Sequence, residues 1–155
     1  MNDCEIVTSF YSAFQKGDAE TMVSLYDDDI EFQDPAFGRL KGEQAKNMWR
    51  MLVERSKGQL QIEFSDIRQQ GEKVLAHWEA HYLFSQTGRK VHNKIDAEFG
   101  FRNGKIIRHT DRFDFWKWSS MALGLPGSLL GWSPLVKNKV RKQCLYLLGN
   151  YRGES

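Results

Sequence analysis

The chain has 155 residues, enough for one domain with a single substantial core, and its 22 basic and 20 acidic residues leave a net charge of +2. Both signs are mixed along most of the chain, which excludes the electrostatic footprint of a nucleic-acid binder. Ten Phe, five Tyr and five Trp are enough both for a core and for the lining of a cavity that takes a flat, apolar ligand. The N-terminus has no secretion pattern, no apolar run is long enough to span a bilayer, and Cys4 and Cys144 fit no metal-ligand spacing. The expectation is a cytoplasmic protein with two free thiols and no integral membrane contact.

Residues 3–16 carry Val7, Phe10, Tyr11 and Phe14 on one stripe, which predicts an amphipathic helix. Asn2 with Glu5 forms a capping-box pattern, and Gly17 supplies the stop. Asp18 can cap a second, shorter helix through Met22, Val23, Leu25 and Tyr26, broken by Asp27-Asp28-Asp29. The same acidic run opens a short strand that ends at Asp34, held extended by Pro35. A third helix follows Gly42, with Ala45, Met48, Trp49, Leu52 and Val53 on one face, and stops at Gly58.

From Leu60 the period changes to two. Leu60, Ile62 and Phe64 alternate with polar residues, and after a turn at 70–72 a longer strand puts Val74, Ala76, Trp78, Ala80, Tyr82 and Phe84 on one face. The next strand does the same with Asn93, Ile95, Ala97, Phe99 and Phe101. Asn103-Gly104 signals a two-residue hairpin turn into a last strand with Ile107, His109, Asp111, Phe113 and Phe115 facing inward. Three helices followed by a four-strand meander predict an α+β fold, its sheet curled around the helices over residues 1–118. Residues 119–155 form an extension on the same domain: an apolar loop broken by Gly and Pro, then a helix from Pro134 carrying Val136, Val140, Cys144, Leu147 and Leu148. Leu123, Leu125, Leu129, Leu130 and Trp132 are too apolar for a free tail. They are expected against the body or a second subunit, the rival being peripheral membrane contact through the basic face near Lys137 and Lys142.

The helix–Gly17-Asp18–helix opening, Asp27-Asp28 before a strand ending in Asp34-Pro35, and a meander with Asn103-Gly104-Lys105-Ile106 in its last turn resemble the nuclear transport factor 2-like superfamily over about residues 3–116. The superfamily includes ketosteroid isomerases, SnoaL-like polyketide cyclases and limonene-epoxide hydrolases. The resemblance implies a cone of curved mixed sheet, in the nuclear transport factor 2-like or cystatin-like manner, with an apolar pocket inside and a homodimer through the outer face. Asp34-Pro35 matches the segment carrying the general-base aspartate of the isomerases. The tyrosine position of their oxyanion hole, however, is Phe10 here, with Tyr11 beside it, and strand parity turns Asp96 outward. Asp111 matches the last-strand aspartate of the epoxide hydrolases, whose Arg and Asp positions fall near Trp78 and Ala80. What remains is closest to the SnoaL-like group, in which an aspartate and a histidine inside the cone do proton chemistry on polyketide-like substrates.

Inward parity then selects one set. Asp34, His109 and Asp111 are the catalytic candidates, and Tyr11, Tyr26, Trp49, Trp78, Tyr82, Asn93 and Phe113 are the substrate-binding candidates. Each has a plainer alternative: a core histidine bonded to a tyrosine for His109, an arginine partner or backbone cap for Asp111, a strand terminator for Asp34. His77, Glu79 and His81 fall on the opposite face, where a dimer surface or solvent is expected, and no spacing motif for a metal is present. The function expected is cofactor-independent proton transfer (isomerase, cyclase or dehydratase) on a small hydrophobic carbonyl or polycyclic molecule. The alternative is a non-catalytic ligand-binding protein or a dimeric scaffold.

Overall fold

A computed structural model describes residues 1–151, so the last four residues of the 119–155 extension lie outside the described region. Helix α1 (Asp3–Gln15) starts where the Asn2 side chain accepts from the Glu5 N–H, and it buries Ile6, Val7, Phe10, Tyr11 and Phe14. Asp18 caps α2 (Ala19–Ser24), and Gly42 precedes α3 (Glu43–Ser56), which buries Ala45, Met48, Trp49 and Met51. The strands are β1 (Tyr26–Asp34), β2 (Gly38–Lys41), β3 (Gln61–Gln70), β4 (Lys73–Phe84), β5 (Arg89–Arg102) and β6 (Lys105–Arg112). They form one curved sheet in the order β2-β1-β6-β5-β4-β3. Only β1 and β6 pair in parallel, the other neighbours being antiparallel. This is the α+β architecture expected, with the N-terminal helices on one face of a mixed sheet.

The period-2 reading of β4 and β5 holds in detail. Val74, Ala76, Trp78 and Ala80 alternate into the core opposite Phe99, Ala97, Ile95 and Asn93, while His77, Glu79 and His81 take the other face. Asn103 and Gly104 both take positive φ, 52° and 75°, as a tight turn between β5 and β6 requires. Together with the helices these strands enclose one apolar core.

Other expectations are corrected. Tyr26 is not the end of α2 but the first residue of β1, and the acidic run stands at the start of that strand, as expected. Its carboxylates are neutralised from neighbouring elements: Asp27 and Asp29 by Arg102, and Asp28 by Lys46. Strand β2 had no periodicity to announce it and exists because residues 38–41 fold back antiparallel on β1. At the start of β6 a register shift between Gly100 and Phe101 puts Ile106, not Ile107, in the core. Phe115 leaves the strand altogether, because Asp114 caps the Lys117 N–H and starts α4 (Phe115–Leu123).

The apolar loop expected after residue 119 is helical: α4 runs into α5 (Leu125–Leu130), and α6 (Pro134–Gly149) follows. Phe115, Trp118 and Ala122 join Val91 in a second apolar cluster, flanked by Tyr82, Val136 and Val140. Leu125, Leu129, Leu130 and Trp132 do not fold against the body of this chain and remain exposed. The reason is the packing of α5, whose Gly127 meets the backbone of Ser119 so closely that no Cβ fits there. Gly127→Ala should therefore cost about 1–3 kcal/mol in urea unfolding, whereas Gly149→Ala, where an added Cβ meets no described atom within 4 Å, should cost nothing measurable.

Candidate functional site

Tyr26 opens β1, Trp49 projects from the middle of α3, and His109 and Asp111 lie two residues apart on the inner face of β6. The fold joins them into one buried chain of hydrogen bonds. The Trp49 indole N–H donates to the Tyr26 hydroxyl (2.8 Å), which lies 2.7 Å from His109 Nδ1. His109 Nε2 is 2.9 Å from Asp111 Oδ1, and the Trp78 indole N–H reaches the same oxygen at 3.3 Å. Indole N–H groups only donate and a carboxylate only accepts, so the bonds point one way. Tyr26 accepts from Trp49 and gives its proton towards Nδ1, and Nε2–H donates to Asp111. His109 is 0% exposed and wedged among Phe10, Phe32, Trp49 and Phe99, its ring stacked on that of Phe99 at 4.2 Å.

Asp34 enters from the parallel neighbour. Phe32 is level with His109 and Gln33 with Thr110, so continuing that register sets Asp34 beside Asp111 on the same face. Asp34 is half-buried, and its Oδ1 accepts from the N–H groups of Ala36 (3.0 Å) and Phe37 (2.6 Å). Burial pushes its carboxyl up to about 7, the Phe37 N–H works against that, and the charge of Asp111 raises it further. Among the described residues no hydrogen bond reaches Oδ2 of either aspartate.

The surroundings add three groups. The Tyr11 hydroxyl is buried with no hydrogen-bond partner among the described residues, and burial, then the charge of Asp111, hold its pKa well above that of a free phenol. Arg141 of α6 donates from Nη2 to the carbonyl oxygen of Pro35 (3.2 Å), and its charge partly offsets the burial of Asp34. Cys144, one turn further along α6, is pushed up to about 11 by burial and by the charge of Asp34. The extension thus lies against the end of β1 where Asp34 stands.

Of the residues selected by parity, Tyr26, Trp49, Trp78, His109 and Asp111 come together directly, and Tyr11 packs against Trp78 with ring centroids 6.0 Å apart. The two tryptophans, selected as substrate-binding candidates, act here as hydrogen-bond donors within the core. His109 does bond to a tyrosine, and with both nitrogens engaged it can reach a ligand only through Asp111. Tyr82 accepts from the Trp118 indole N–H (2.8 Å) and is pushed up to about 12, mainly by burial. Phe113 is half-buried between the two apolar clusters. Asn93 stands apart, four residues along β5 from Ala97, which pairs with Asp111. It lines a separate hollow of about 210 Å³ with Lys94, Asp114 and Lys117. Sequence reasoning missed Arg141, because a basic residue in an unplaced helix reads as solvated.

On the outer face, Asp96 and Glu79 flank His77 at 3.0 and 2.8 Å, and Glu79 also meets His92 at 2.5 Å. Asp96 therefore points outward, as parity requires. Glu79 is lowered to about 2 by His77 and then His92. Glu79, His81 and His92 bring one ligand atom each within 4.8 Å of one another, the nearest approach to a metal set among the described residues. The rings of His81 and His92 are stacked, 3.9 Å apart and only 24° from parallel. Their in-plane lone pairs do not converge on a point, so an ion there would require a ring to turn.

A SnoaL-like domain family matches residues 7–109, more than half of the chain. The chain belongs to the SnoaL-like domain family. No curated protein matches it in sequence. Solved structures similar to this SnoaL-like protein include TerC co-crystallised with polyporic acid, at 19% identity and a TM-score of 0.64, covering 76% of this chain and 95% of that one. A candidate polyketide cyclase from Pseudomonas putida KT2440 has 23% identity and a TM-score of 0.64, covering 79% and 98%. A candidate isomerase from Bacillus subtilis has 20% identity and a TM-score of 0.63, covering 80% and 96%. At these identities the likeness is one of fold. No helix among the described residues is long and apolar enough to cross a membrane.

The raised Asp34 carboxyl has a consequence for stability. An unfolded Asp loses its proton near pH 3.9, whereas Asp34 in the folded SnoaL-like domain keeps it to about 7. The folded state binds the extra proton, so Asp34 is neutral in its effect below pH 4 and increasingly destabilising as pH rises to 7. Asp34→Asn, which keeps the acceptor for Ala36 and Phe37, should match the parent at pH 4 and exceed it by about 1–2 kcal/mol at pH 8 in denaturant titrations, allowing for partial solvation.

Proposed function

We propose that this SnoaL-like protein is a cofactor-independent proton-transfer enzyme, of isomerase, cyclase or dehydratase type, acting on a hydrophobic carbonyl or polycyclic molecule. The observation that carries the reading is the Tyr11 hydroxyl, buried without a partner among the described residues and within the field of Asp111. An orphan donor inside an aromatic core is costly unless something binds it, and a substrate carbonyl oxygen is the acceptor that fits.

In this reading Asp34 Oδ2 takes a proton from the carbon next to that carbonyl, and the electron pair moves onto the oxygen held by Tyr11. The proton then returns from Asp34 to a second carbon of the same conjugated system, and the charge of Asp111 keeps the Asp34 carboxyl basic enough to take it in the first place. A carboxyl that titrates near 7 can do both steps at neutral pH. His109 is a positioning residue here: tethered by Tyr26, it fixes the orientation of Asp111. Trp78, Tyr82 and Phe113 supply apolar walls. Two copies pair through the outer face bearing His77, Glu79, His81 and Asp96, and the protein works in the cytoplasm, where Cys4 and Cys144 stay reduced.

The test is solvent deuterium uptake by cyclic and polycyclic ketones in D2O, followed by NMR. Asp34→Asn and Asp111→Asn should lower exchange by roughly a hundredfold to ten-thousandfold while ligand binding survives. The parent rate should rise with pH through about 7 as Asp34 loses its proton. Normal exchange in both variants would sink the reading in favour of a non-catalytic ligand binder, which the close aromatic packing around His109 favours. Light scattering that reports monomers at high micromolar concentration would refute the pairing.

A further inference from the structure

Apart from Met1 and Leu83, every large apolar side chain exposed among the described residues lies between residues 116 and 146. Leu125 (70%), Leu129 (61%), Trp132 (67%) and Leu135 (81%) are the most open of the group around α5 and the start of α6. The exposure is built in. Helix α5 presents its small side inward, with Gly127 against the Ser119 backbone and Gly131 against the Ser119 side chain and Trp116. A close approach of that kind leaves the leucines no direction but outward. The indole N–H groups of Trp116 and Trp132 are satisfied by the carbonyls of Ser128 and Leu129. Each ring is thus left with its apolar body to offer.

The charge of the same region is as one-sided as its polarity. From Phe115 to Asn150 there is no Asp or Glu, against Lys117, Lys137, Lys139, Arg141 and Lys142. Among the described residues no carboxylate pairs with any of the four lysines. On α6 the outward positions run Leu135, Lys139, Lys142 and Tyr146, one stripe of mixed apolar and basic character. Arg89 adds a cation, its Nε donating to the Met121 carbonyl beside Gly124.

We infer that the α5–α6 face is a docking surface for an anionic lipid bilayer. Leucines and indole rings would enter the boundary between headgroups and acyl chains, and the lysines would meet lipid phosphates, the combination interfacial helices use. A second copy of this chain fits the face less well. Symmetric pairing sets a patch against itself, and here that would bring Lys139 and Lys142 against an identical stretch that has no carboxylate from Phe115 to Asn150. The lipid surface supplies the missing charge. Arg141 and Cys144 on the inward side of α6 reach the Asp34 turn, so the docked face would border the end of the sheet where that carboxyl stands.

The experiment is co-sedimentation of the full chain with vesicles of phosphatidylcholine, with and without phosphatidylglycerol. Binding should strengthen roughly tenfold or more with the anionic lipid and weaken in high salt. Leu129→Glu with Trp132→Glu should abolish it, and Lys139→Glu with Lys142→Glu should remove its dependence on phosphatidylglycerol. Tryptophan quenching of the unaltered protein by brominated acyl chains gives a reading that needs no variant. Absence of both sedimentation and quenching would overturn the inference, as would binding indifferent to lipid charge. So would a dimer in light scattering that the Leu129→Glu, Trp132→Glu variant dissociates, because the face would then belong to a second copy.

Discussion

The buried contact between His109 and Asp111 is the constraint around which the rest of the domain is arranged. A carboxylate and an imidazole among aromatic side chains are expensive unless they are hydrogen-bonded. Here both imidazole nitrogens and Oδ1 of Asp111 are engaged, with three further elements taking part: Tyr26 at the start of β1, Trp49 in α3 and Trp78 in β4. Each of these large side chains also fills core volume, so the atoms that exclude water supply the donors that replace it. The helix α3 is thereby pinned to the concave face by a directional bond as well as by packing. Removing any one of the partners strands a polar group next to His109, which is why the chain reads as a unit rather than as separate contacts.

The parallel pairing of β1 with β6 turns that structural unit into something with chemical potential. In an otherwise antiparallel sheet it is the one junction that sets residues far apart in sequence level with one another, Phe32 with His109 and, one step on, Asp34 with Asp111. Two carboxyls on one face at neighbouring strands repel when both are charged, and burial of Asp34 adds to the bias against its charged form. The result is a pair with different roles available to its members: Asp111 tied down by N–H donors, Asp34 poised near neutrality at the end of its strand. Tyr11 contributes an uncommitted donor from α1, one residue on from Phe10, which shields the histidine.

The C-terminal helices follow a different logic. Helix α4 buries Trp118 and Ala122, and α6 anchors itself by Leu148 while leaving Leu135, Leu145 and Tyr146 exposed. Between them α5 is inverted, glycine side in and leucine side out, because the Ser119 backbone leaves no room for a Cβ. The outer face of β4 and β5 contrasts with this, since its histidines and carboxylates are mutually paired and polar. The described residues therefore carry two chemically distinct surfaces besides the interior, one cross-linked by charge and one apolar with lysines that no carboxylate among them pairs.

Much of this was legible in the amino-acid sequence because short-range periodicity encodes it. The alternation through β4 and β5 placed Trp78, Asn93 and Phe99 inward and His77, Glu79, His81 and Asp96 outward, since side-chain direction in a strand depends only on the count along the chain. The same parity brought His109 and Asp111 to one face, and Asn103-Gly104 fixed the hairpin that carries them. Local pattern failed wherever a distant partner decided the outcome. The bulge opposite Gly100 exchanged Ile107 for Ile106, Tyr26 left α2 to begin β1 beside Ile106, and β2 exists only by pairing with β1. The hydrogen-bonded chain through Tyr26, the level placement of Asp34 and Asp111, the reach of Arg141 to Pro35 and the inversion of α5 were all settled by tertiary structure. Each depends on distances between residues tens of positions apart, and those distances are set by how the sheet closes over the helices, which no local spacing records.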